Sequence, residues 1–398
     1  MHFIRFLKSP RLVATTSRKP GGVECKITIT TDLGEAVLDE DVTIIATLYK
    51  VSSRRTESVA QELRWTTGMR ALEVSFRSHR DEIKLSHVNF HMHVTVPAAR
   101  AHNAIVIKAG SAPERYTPIE AVFLTTSSVQ PLAIVPATSG SFSNEKGPER
   151  VLRSFGLART DRQLRIWEDT GSSIARHIWS VDLSSPPQSS CTDAGARDAG
   201  VVLTAFITRC TTSDVDQLKC LQETIHRGTQ NCLRVLELGC GCGIVGIAIS
   251  QLLPNAEVIL SDLVEAREIA EHNLVENNIM PHRCIFVKLD WEEETLPEQI
   301  KCPLDLIIVA DCIYNPDSAP ALVNTLSRLC TRSPKALVVM GTKLRHPSEA
   351  VFFHLMREAQ MVQIDKASIP LPSAAALNKM AEQEHVDIHL YTSRALSA

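Results

Sequence analysis

No apolar run in the 398 residues approaches the ~20 that a membrane-crossing helix requires, so such a helix is not expected. Aromatic residues are scarce, at 5%, and neither sign of charge dominates: 42 Lys and Arg stand against 45 Asp and Glu, a formal -3 at pH 7. Totals so close to balance supply no general field for a polyphosphate backbone, which makes nucleic acid an unfavoured main partner and leaves room only for a local basic patch. Paired C-x-x-C spacings are missing as well. The eleven cysteines are odd in number and scattered, which argues against a disulfide framework or a zinc site. Internal repeats are absent. The opening MHFIRFLKSPRLV mixes Arg and Lys into a short stretch that alternates like a strand rather than forming a signal-peptide core. The expected compartment is therefore the cytoplasm, with the nucleus also open.

What is present points to two or three globular domains, from the length together with 44% hydrophobic and 22% charged residues. Up to about residue 135 the chain is dense in alternating runs: KITITTDL, DVTIIATLYKV, ALEVSFR, VNFHMHVTV, AIVIKA and AVFLTT. Successive period-two segments with turn residues between them and no clear helix predict an all-β, sandwich-like domain over 1–135. Within VNFHMHVTV and its flank, His87, His91 and His93 share one strand face with Asn89, opposite Val88, Phe90, Met92 and Val94. Three histidines on one face could ligate a metal, and a solvated polar face explains them equally well; no metal is assigned. PATSGSFSNEKGPER, 136–150, lacks periodicity and is rich in Ser, Gly, Pro and charge, which predicts a linker. SSPPQSSCTDAGARDAG, 184–200, has the same composition between helix-compatible flanks and is expected to be a loop inserted within a domain spanning 151–398.

From about Cys232 the pattern alternates strand and helix. LRVLELG, AEVILSD, RCIFVKLDW, LDLIIVADCIY, KALVVMGTKL and VDIHLYTS have strand character, and IVGIAISQLL, VEAREIAEHNLVENN, APALVNTLSRLC and SEAVFFHLMREAQ have helical spacing. Such alternation predicts an α/β, Rossmann-like, mainly parallel sheet with helices on both faces and ligands beyond the carboxyl ends of its strands.

The unusual residues fall at those ends. VLELGCGCGIVGIAIS, 235–250, holds both Glu-x-Gly-x-Gly-x-Gly (Glu237, Gly239, Gly241, Gly243) and the dinucleotide string Gly-x-Gly-x-x-Gly (Gly241, Gly243, Gly246). Glycines there allow a tight turn and let amides approach a ligand. Cys240 and Cys242 sit two apart inside the loop with no second ligand pair, as small residues in a crowded turn. Glu237, Asp262, Asp290 with Trp291, and Asp311 end four successive strands and form a polar rim. Asp262 lies where an acid can accept hydrogen bonds from two ribose hydroxyls, and Trp291 offers a flat face to an adenine. Adenosine suits a dinucleotide and S-adenosylmethionine alike. Two features favour the second: no further glycine-rich turn follows to cradle another phosphate, and the negative charge of Glu237 would repel a pyrophosphate while suiting a ligand with a sulfonium and an ammonium.

These residues resemble the seven-β-strand, S-adenosylmethionine-dependent methyltransferases, and among them the methyltransferase-like 21 group of protein-lysine methyltransferases and its fungal relatives. The resemblance covers Ile166 to the end and rests on VLELGCGCGIVG, LSDL with Asp262, LDW at 289–291, ADCIY with its Asp-x-x-Tyr at Asp311 and Tyr314, TGSSIARHIW ending in Trp179, and GTKLRHPSEAVFF. It implies cofactor contacts from Trp179, the Gly239-Cys240-Gly241 backbone, Asp262, Trp291 and Ala310, with Gly243 and Asp290 in the same group. Glu237 would accept a hydrogen bond from the cofactor or orient the loop. Asp311 and Tyr314 would face the methyl-accepting group as the catalytic pair. The insertion after Trp179, the Cys240 and Cys242 pair and the β-rich N-terminal part depart from the family pattern.

A lysine amine must be neutral to attack, which at pH 7 costs roughly 4 to 5 kcal/mol from its ordinary pKa. A carboxylate beside it would hold it as ammonium, so Asp311 is expected to capture and orient the incoming cation rather than act as a simple base. The leading expectation is a monomeric enzyme acting on a lysine of a cytosolic protein. A small-molecule or RNA acceptor, a non-catalytic binding scaffold, and a dinucleotide oxidoreductase are the alternatives; the strand end Asp311-Cys312-Ile313-Tyr314 lacks an Asn-Pro-Pro-Tyr-like tetrad, which weighs against RNA.

Overall fold

The computed structural model describes residues 1–14, 21–32, 34, 36–51, 56–77, 89–96, 117–119, 134–143, 147–157, 162–169, 198–212, 216–313, 315–371 and 384–393. Among them, no helix is long and apolar enough to cross a membrane.

The N-terminal part is built from β1 (His2–Val13), β2 (Gly22–Thr30), β3 (Val42–Val51), β4 (Thr56–Trp65), β5 (Leu72–Arg77), β6 (Asn89–Thr95), β7 (Thr117–Pro118), β8 (Ile134–Val135), β9 (Ala137–Ser139), β10 (Arg150–Gly156) and β11 (Gln163–Asp169). They form two sheets, ordered β5-β2-β1-β8 and β11-β10-β9-β6-β3-β4, with β7 beside β10. Alternation explains the pairing: Ile4, Phe6, Val23, Cys25, Ile27 and Ile29 of the first sheet share a core with Ile44, Ala46, Phe90, Met92 and Val94 of the second. Trp65 is fully buried there, its indole N–H donating to the Leu38 carbonyl at 2.9 Å.

Two expectations are revised. Residues 136–150 are not a linker: β9 lies within them, Phe142 bridges Phe90, and Gly140 donates to the Arg150 carbonyl at 3.0 Å. Polar composition conceals ladder bonds, because backbone pairing needs no particular side chain. Strands β10 and β11, expected within the 151–398 domain, extend the second β sheet instead. Strand β4 carries a run of exposed residues and no apolar alternation, which hid it from the sequence reading. AIVIKA, AVFLTT, His87 and Val88 lie outside the described residues.

The third sheet comprises β12 (Leu233–Leu238), β13 (Ala256–Asp262), β14 (Cys284–Lys288), β15 (Leu306–Ala310), β16 (Leu337–Thr342), β17 (Met361–Pro370) and β18 (His385–Ser393), in the order β14-β13-β12-β15-β16-β18-β17. The first five in that order are parallel, and β18 and β17 are antiparallel. Strand β17 exposes Val362 and Ile364 at the sheet edge, so its apolar residues mark no buried face. Around the sheet lie α1 (Asp198–Thr212), α2 (Lys219–Gln230), α3 (Ile244–Leu252), α4 (Arg267–Glu276), α5 (Ala319–Arg332) and α6 (Ala350–Glu358). Leu233 and Val235 of β12 pack in one core with α1 to α4, while Leu236 and Leu238 pack in another with α5 and α6. This is the Rossmann-like architecture the alternation predicts. The last residues of 184–200 open α1; those before Asp198 lie outside the described set.

The two parts are welded together. Phe155, Leu157, Leu164 and Ile166 of β10, β11 and their connection belong to the same core as α1 to α4. On the open edge of β11, side-chain amides stand in for a strand. Asn273 accepts from the Trp167 N–H at 2.8 Å and donates to its carbonyl at 3.0 Å. One helical turn on, Asn277 accepts from the Arg165 N–H at 2.9 Å and donates to its carbonyl at 2.6 Å. Helical spacing of four matches strand spacing of two, so two asparagines satisfy four backbone groups.

Candidate active site

Strand β12 pairs with β13 on one side and β15 on the other, so chain direction around the sheet reverses at this point. A crevice outside the carboxyl ends is the consequence. The loop leaving β12 lines it with Gly239, Gly241 and Gly243 at φ 63°, 51° and 81°, a conformation that side chains resist. A Cβ on Gly239 would lie 2.6 Å from Cys312 Sγ and 3.2 Å from Trp291 Cζ2, so the backbone there is threaded between two strand ends. Inside α3, a Cβ on Gly246 would meet Leu260 at 2.3 Å and Glu237 Oε2 at 2.7 Å; this glycine serves packing of helix on strand.

Asp262, the last residue of β13, closes the loop. Its Oδ2 accepts from Gly241 N–H at 2.8 Å and its Oδ1 from Leu263 N–H at 2.7 Å. Burial nevertheless leaves its carboxyl above the ordinary value. A carboxylate has about four acceptor positions, so two remain for a ligand. Trp291 is half-buried beside Gly239, its carbonyl held by Thr325 and Arg328 at 3.3 and 3.4 Å. Asp290 accepts from Glu292 N–H at 3.0 Å and caps its own turn. Ala310 ends β15 next to Cys312, whose thiol contacts the carbonyls of Leu238 and Ala310 at 3.4 and 3.3 Å. These residues fit an adenosyl ligand: a loop stripped of side chains, an acid at its side and a flat apolar ring over it.

Glu237 is not part of the rim. It is 1% exposed, its Oε2 accepts from Gly246 N–H at 2.8 Å, and burial pushes its carboxyl up to about 8. A group largely protonated at pH 7 repels no pyrophosphate, so the electrostatic argument against a dinucleotide is withdrawn. Of its two expected roles, orienting the loop is the one the contacts describe. Burial raises the thiols of Cys240 and Cys242 well above their usual range, which keeps both as neutral packing groups. From behind, Asn273 donates to the Cys242 carbonyl at 2.9 Å, tying the loop to β11.

The acceptor side differs from expectation. Asp311 follows β15 with φ 57°, a left-handed turn that aspartate tolerates, and its N–H donates to the Gly341 carbonyl at 2.9 Å. Its carboxylate is 6% exposed and already holds a cation. Arg345, just beyond β16, grips it with both Nη atoms, at 2.7 and 3.0 Å. The same Nη2 donates at 2.5 Å to Asp32, which lies in the turn after β2. Burial would lower the Arg345 pKa, but Asp311 and Asp32 together hold it above its ordinary value. An open carboxylate awaiting a cation is therefore not what the structure presents.

Lys343 sits next in this cluster, its Nζ 2.8 Å from Asp198, 3.1 Å from Glu384 and 3.7 Å from Asp32. Burial depresses its ammonium, yet the carboxylates outweigh that and raise it to about 12. For Asp32, burial pushes the carboxyl up and the two cations overcome it, leaving it below its ordinary value. Asp198 goes the other way: burial and the Asp32 charge bring it to about 6 despite Lys343. None of Asp32, Asp198, Lys343, Arg345, Asn273 and Asn277 was singled out from the sequence. GTKLRHPSEAVFF was noticed as a segment, and the two cations in it were the available signal. Trp179 and Tyr314 lie outside the described residues. Among the described residues, no group of His, Cys, Asp or Glu is arranged to hold a metal; His93 is instead hydrogen-bonded to Thr138 Oγ1 at 2.8 Å, with burial lowering its pKa to about 4.

Residues 189–359 match the family described as lysine methyltransferase. A UPF0665 family protein of Schizosaccharomyces pombe is 26% identical over 334 residues, covering 82% of this chain and 84% of that protein. That span is too long to fit within 198–398, so the match reaches into the β-rich part. EEF1A lysine methyltransferase 3 of Xenopus tropicalis is 29% identical, covering 40% of this chain and 63% of that protein. Protein N-lysine methyltransferase METTL21A of Mus musculus is 31% identical, covering 30% and 54%. The match thus spans little more than half the length of these last two relatives.

Proposed function

From a chain whose residues 189–359 match the family described as lysine methyltransferase, we propose a protein-lysine N-methyltransferase that modifies a partner protein. The cofactor is S-adenosylmethionine, which when bound supplies a methyl group activated on a sulfonium. The observation that carries the reading is the glycine loop closed by Asp262 through Gly241 N–H at 2.8 Å, at the strand ends of the region that matches this family. The loop amides and Asp262 would hold the ligand, Trp291 would cover it, and Ala310 would leave room for it beside the central strands.

Methyl transfer is an in-line displacement, and the protein's task is alignment of a neutral nucleophile. Bringing a lysine amine to neutrality at pH 7 costs roughly 4 to 5 kcal/mol. A bare Asp311 would increase that cost by favouring the ammonium. The Arg345 fork compensates the carboxylate, so Asp311 can orient an amine through hydrogen bonding without fixing a proton on it. The proton leaves to solvent before alignment.

The test is transfer of labelled methyl from S-adenosylmethionine into lysate of cells lacking this gene. A labelled protein band that yields methyl-lysine on hydrolysis is expected. Label confined to RNA or to small molecules would overturn the lysine reading. Stabilisation by the demethylated cofactor product, and none by NAD, checks the cofactor class; a ligand at ~100 times its dissociation constant adds about 2.7 kcal/mol.

A further inference from the structure

The N-terminal β part contributes a charge to the acceptor side of the site. Asp32 is 4% exposed, lies in a turn of a β sheet, and is 313 residues from Arg345 in sequence, yet its Oδ2 is 2.5 Å from Arg345 Nη2. That nitrogen carries two N–H groups, and one goes to each of Asp32 and Asp311. The turn holding Asp32 is fixed independently, since the Asp32 carbonyl accepts from Arg5 and Thr31 N–H donates to the Ala36 carbonyl at 2.9 Å. Asp198 N–H approaches the same Oδ2 at 3.3 Å. A buried carboxylate with this many donors is built in, not left over.

We propose that Asp32 is a positioning residue for the methyl-accepting lysine, acting through Arg345: it shares the guanidinium with Asp311 and so makes the β part a component of the acceptor site. This rests on the lysine methyltransferase reading above. Two consequences follow from the geometry. First, the lateral bond to Asp32 fixes the plane of the guanidinium, which in turn fixes the Asp311 carboxylate that it grips from both sides. Second, the Asp32 charge divides the guanidinium between two carboxylates; without it Arg345 would compensate Asp311 alone and weaken the pull of Asp311 on an incoming ammonium. The pair with Arg345 keeps Asp311 from trapping the proton, while the Asp32 charge preserves enough attraction to draw the side chain in.

The experiment uses the full chain, with the gene-deleted lysate as acceptor and the demethylated cofactor product as the binding probe. Asp32→Asn keeps the size and one acceptor oxygen but removes the charge. The half-saturating amount of acceptor lysate is expected to rise about 10-fold, with the rate at saturating acceptor and the product affinity within about 3-fold of wild type. Asp32→Glu is expected to recover most of the loss. Arg345→Gln is expected to cost more than Asp32→Asn, and the double variant no more than Arg345→Gln alone, since Asp32 acts through that residue. Asp41→Asn, on an exposed pair with Arg64 elsewhere in the β part, serves as the neutral control.

An unchanged half-saturation in Asp32→Asn, or losses that multiply in the double variant, overturns the proposal. Should Asp32→Asn fail to fold, Arg345→Lys carries the test: an ammonium cannot fork across two carboxylates, so the same rise in half-saturation is expected, and a wild-type value overturns the idea. Absence of any labelled protein with the wild-type chain defeats the lysine reading instead.

Discussion

The proposed cofactor side and the proposed acceptor side of this site are assembled in opposite ways. Glu237, the glycine loop, Asp262, Trp291 and Ala310 come from consecutive strand ends of one sheet, and their contacts are with main-chain amides or close packing. The acceptor side joins Asp32, Asp198, Asp311, Lys343, Arg345 and Glu384 from distant points, through side-chain charges. A site for one invariant ligand can be built locally from backbone. The charged cluster proposed to receive the acceptor is instead put together from side chains, and it also draws on the attached β part.

The largest expected effect that sharpens this contrast is on the charged side. Arg345→Met removes the guanidinium that bridges the buried carboxylates of Asp311 and Asp32, which is expected to cost about 3 to 5 kcal/mol in chemical denaturation. Affinity for the demethylated cofactor product should stay within about 3-fold if the two sides are independent. A collapse of that affinity in folded protein would erase the distinction. Next comes Asp262→Ala, which deletes both amide contacts and the ligand acceptor. It is expected to weaken product binding about 100-fold by calorimetry while shifting stability less than Arg345→Met does.

A finer test uses the two asparagines of α4. Asn273→Ala and Asn277→Ala each unpair two backbone groups of β11 and are expected to cost about 1 to 3 kcal/mol. Only Asn273 reaches the Cys242 carbonyl, so only its loss is expected to weaken product binding, by about 3- to 10-fold. Equal weakening in both would mean that the loop responds to general loosening.

The last effect concerns pH. The Glu237 carboxyl is raised from 4.5 to about 8, so between those values the folded state holds a proton that the unfolded state has released. Stability from this group is present below the unfolded value and declines as pH rises toward the folded one. Glu237→Gln can still accept from Gly246 N–H and should flatten the decline in melting temperature between pH 6 and 8. A slope identical to wild type would remove Glu237 as its source.

The proposed cofactor side is legible in the sequence because its signals are local: glycines at fixed spacing, an acid one strand later, a Trp after the third. Those residues need special backbone or special chemistry within a few positions of one another. The acceptor side carried no such signature. Asp32 in TTDLGEAV reads as an ordinary turn, and nothing in its neighbourhood announces a partner 313 positions away. Strands β4, β9 and β17 were illegible for a related reason, since hydrogen bonding along a ladder is sequence-blind once the outward face is polar or the edge is exposed. Asn273 and Asn277 resembled any polar helix residues; only the register of β11 opposite them gives their spacing a meaning.

The amide groups along β11 have a consequence beyond joining two parts. A terminal strand ordinarily offers a free rail on which another chain can add, and here Asn273 and Asn277 occupy that rail with neutral groups that salt cannot screen. The opposite end of the same sheet is β4, where Glu57, Glu62 and Arg64 supply charge instead. Addition of another strand at the β11 border is thus opposed by occupancy, and losing the two asparagines together would bare the backbone groups of Arg165 and Trp167.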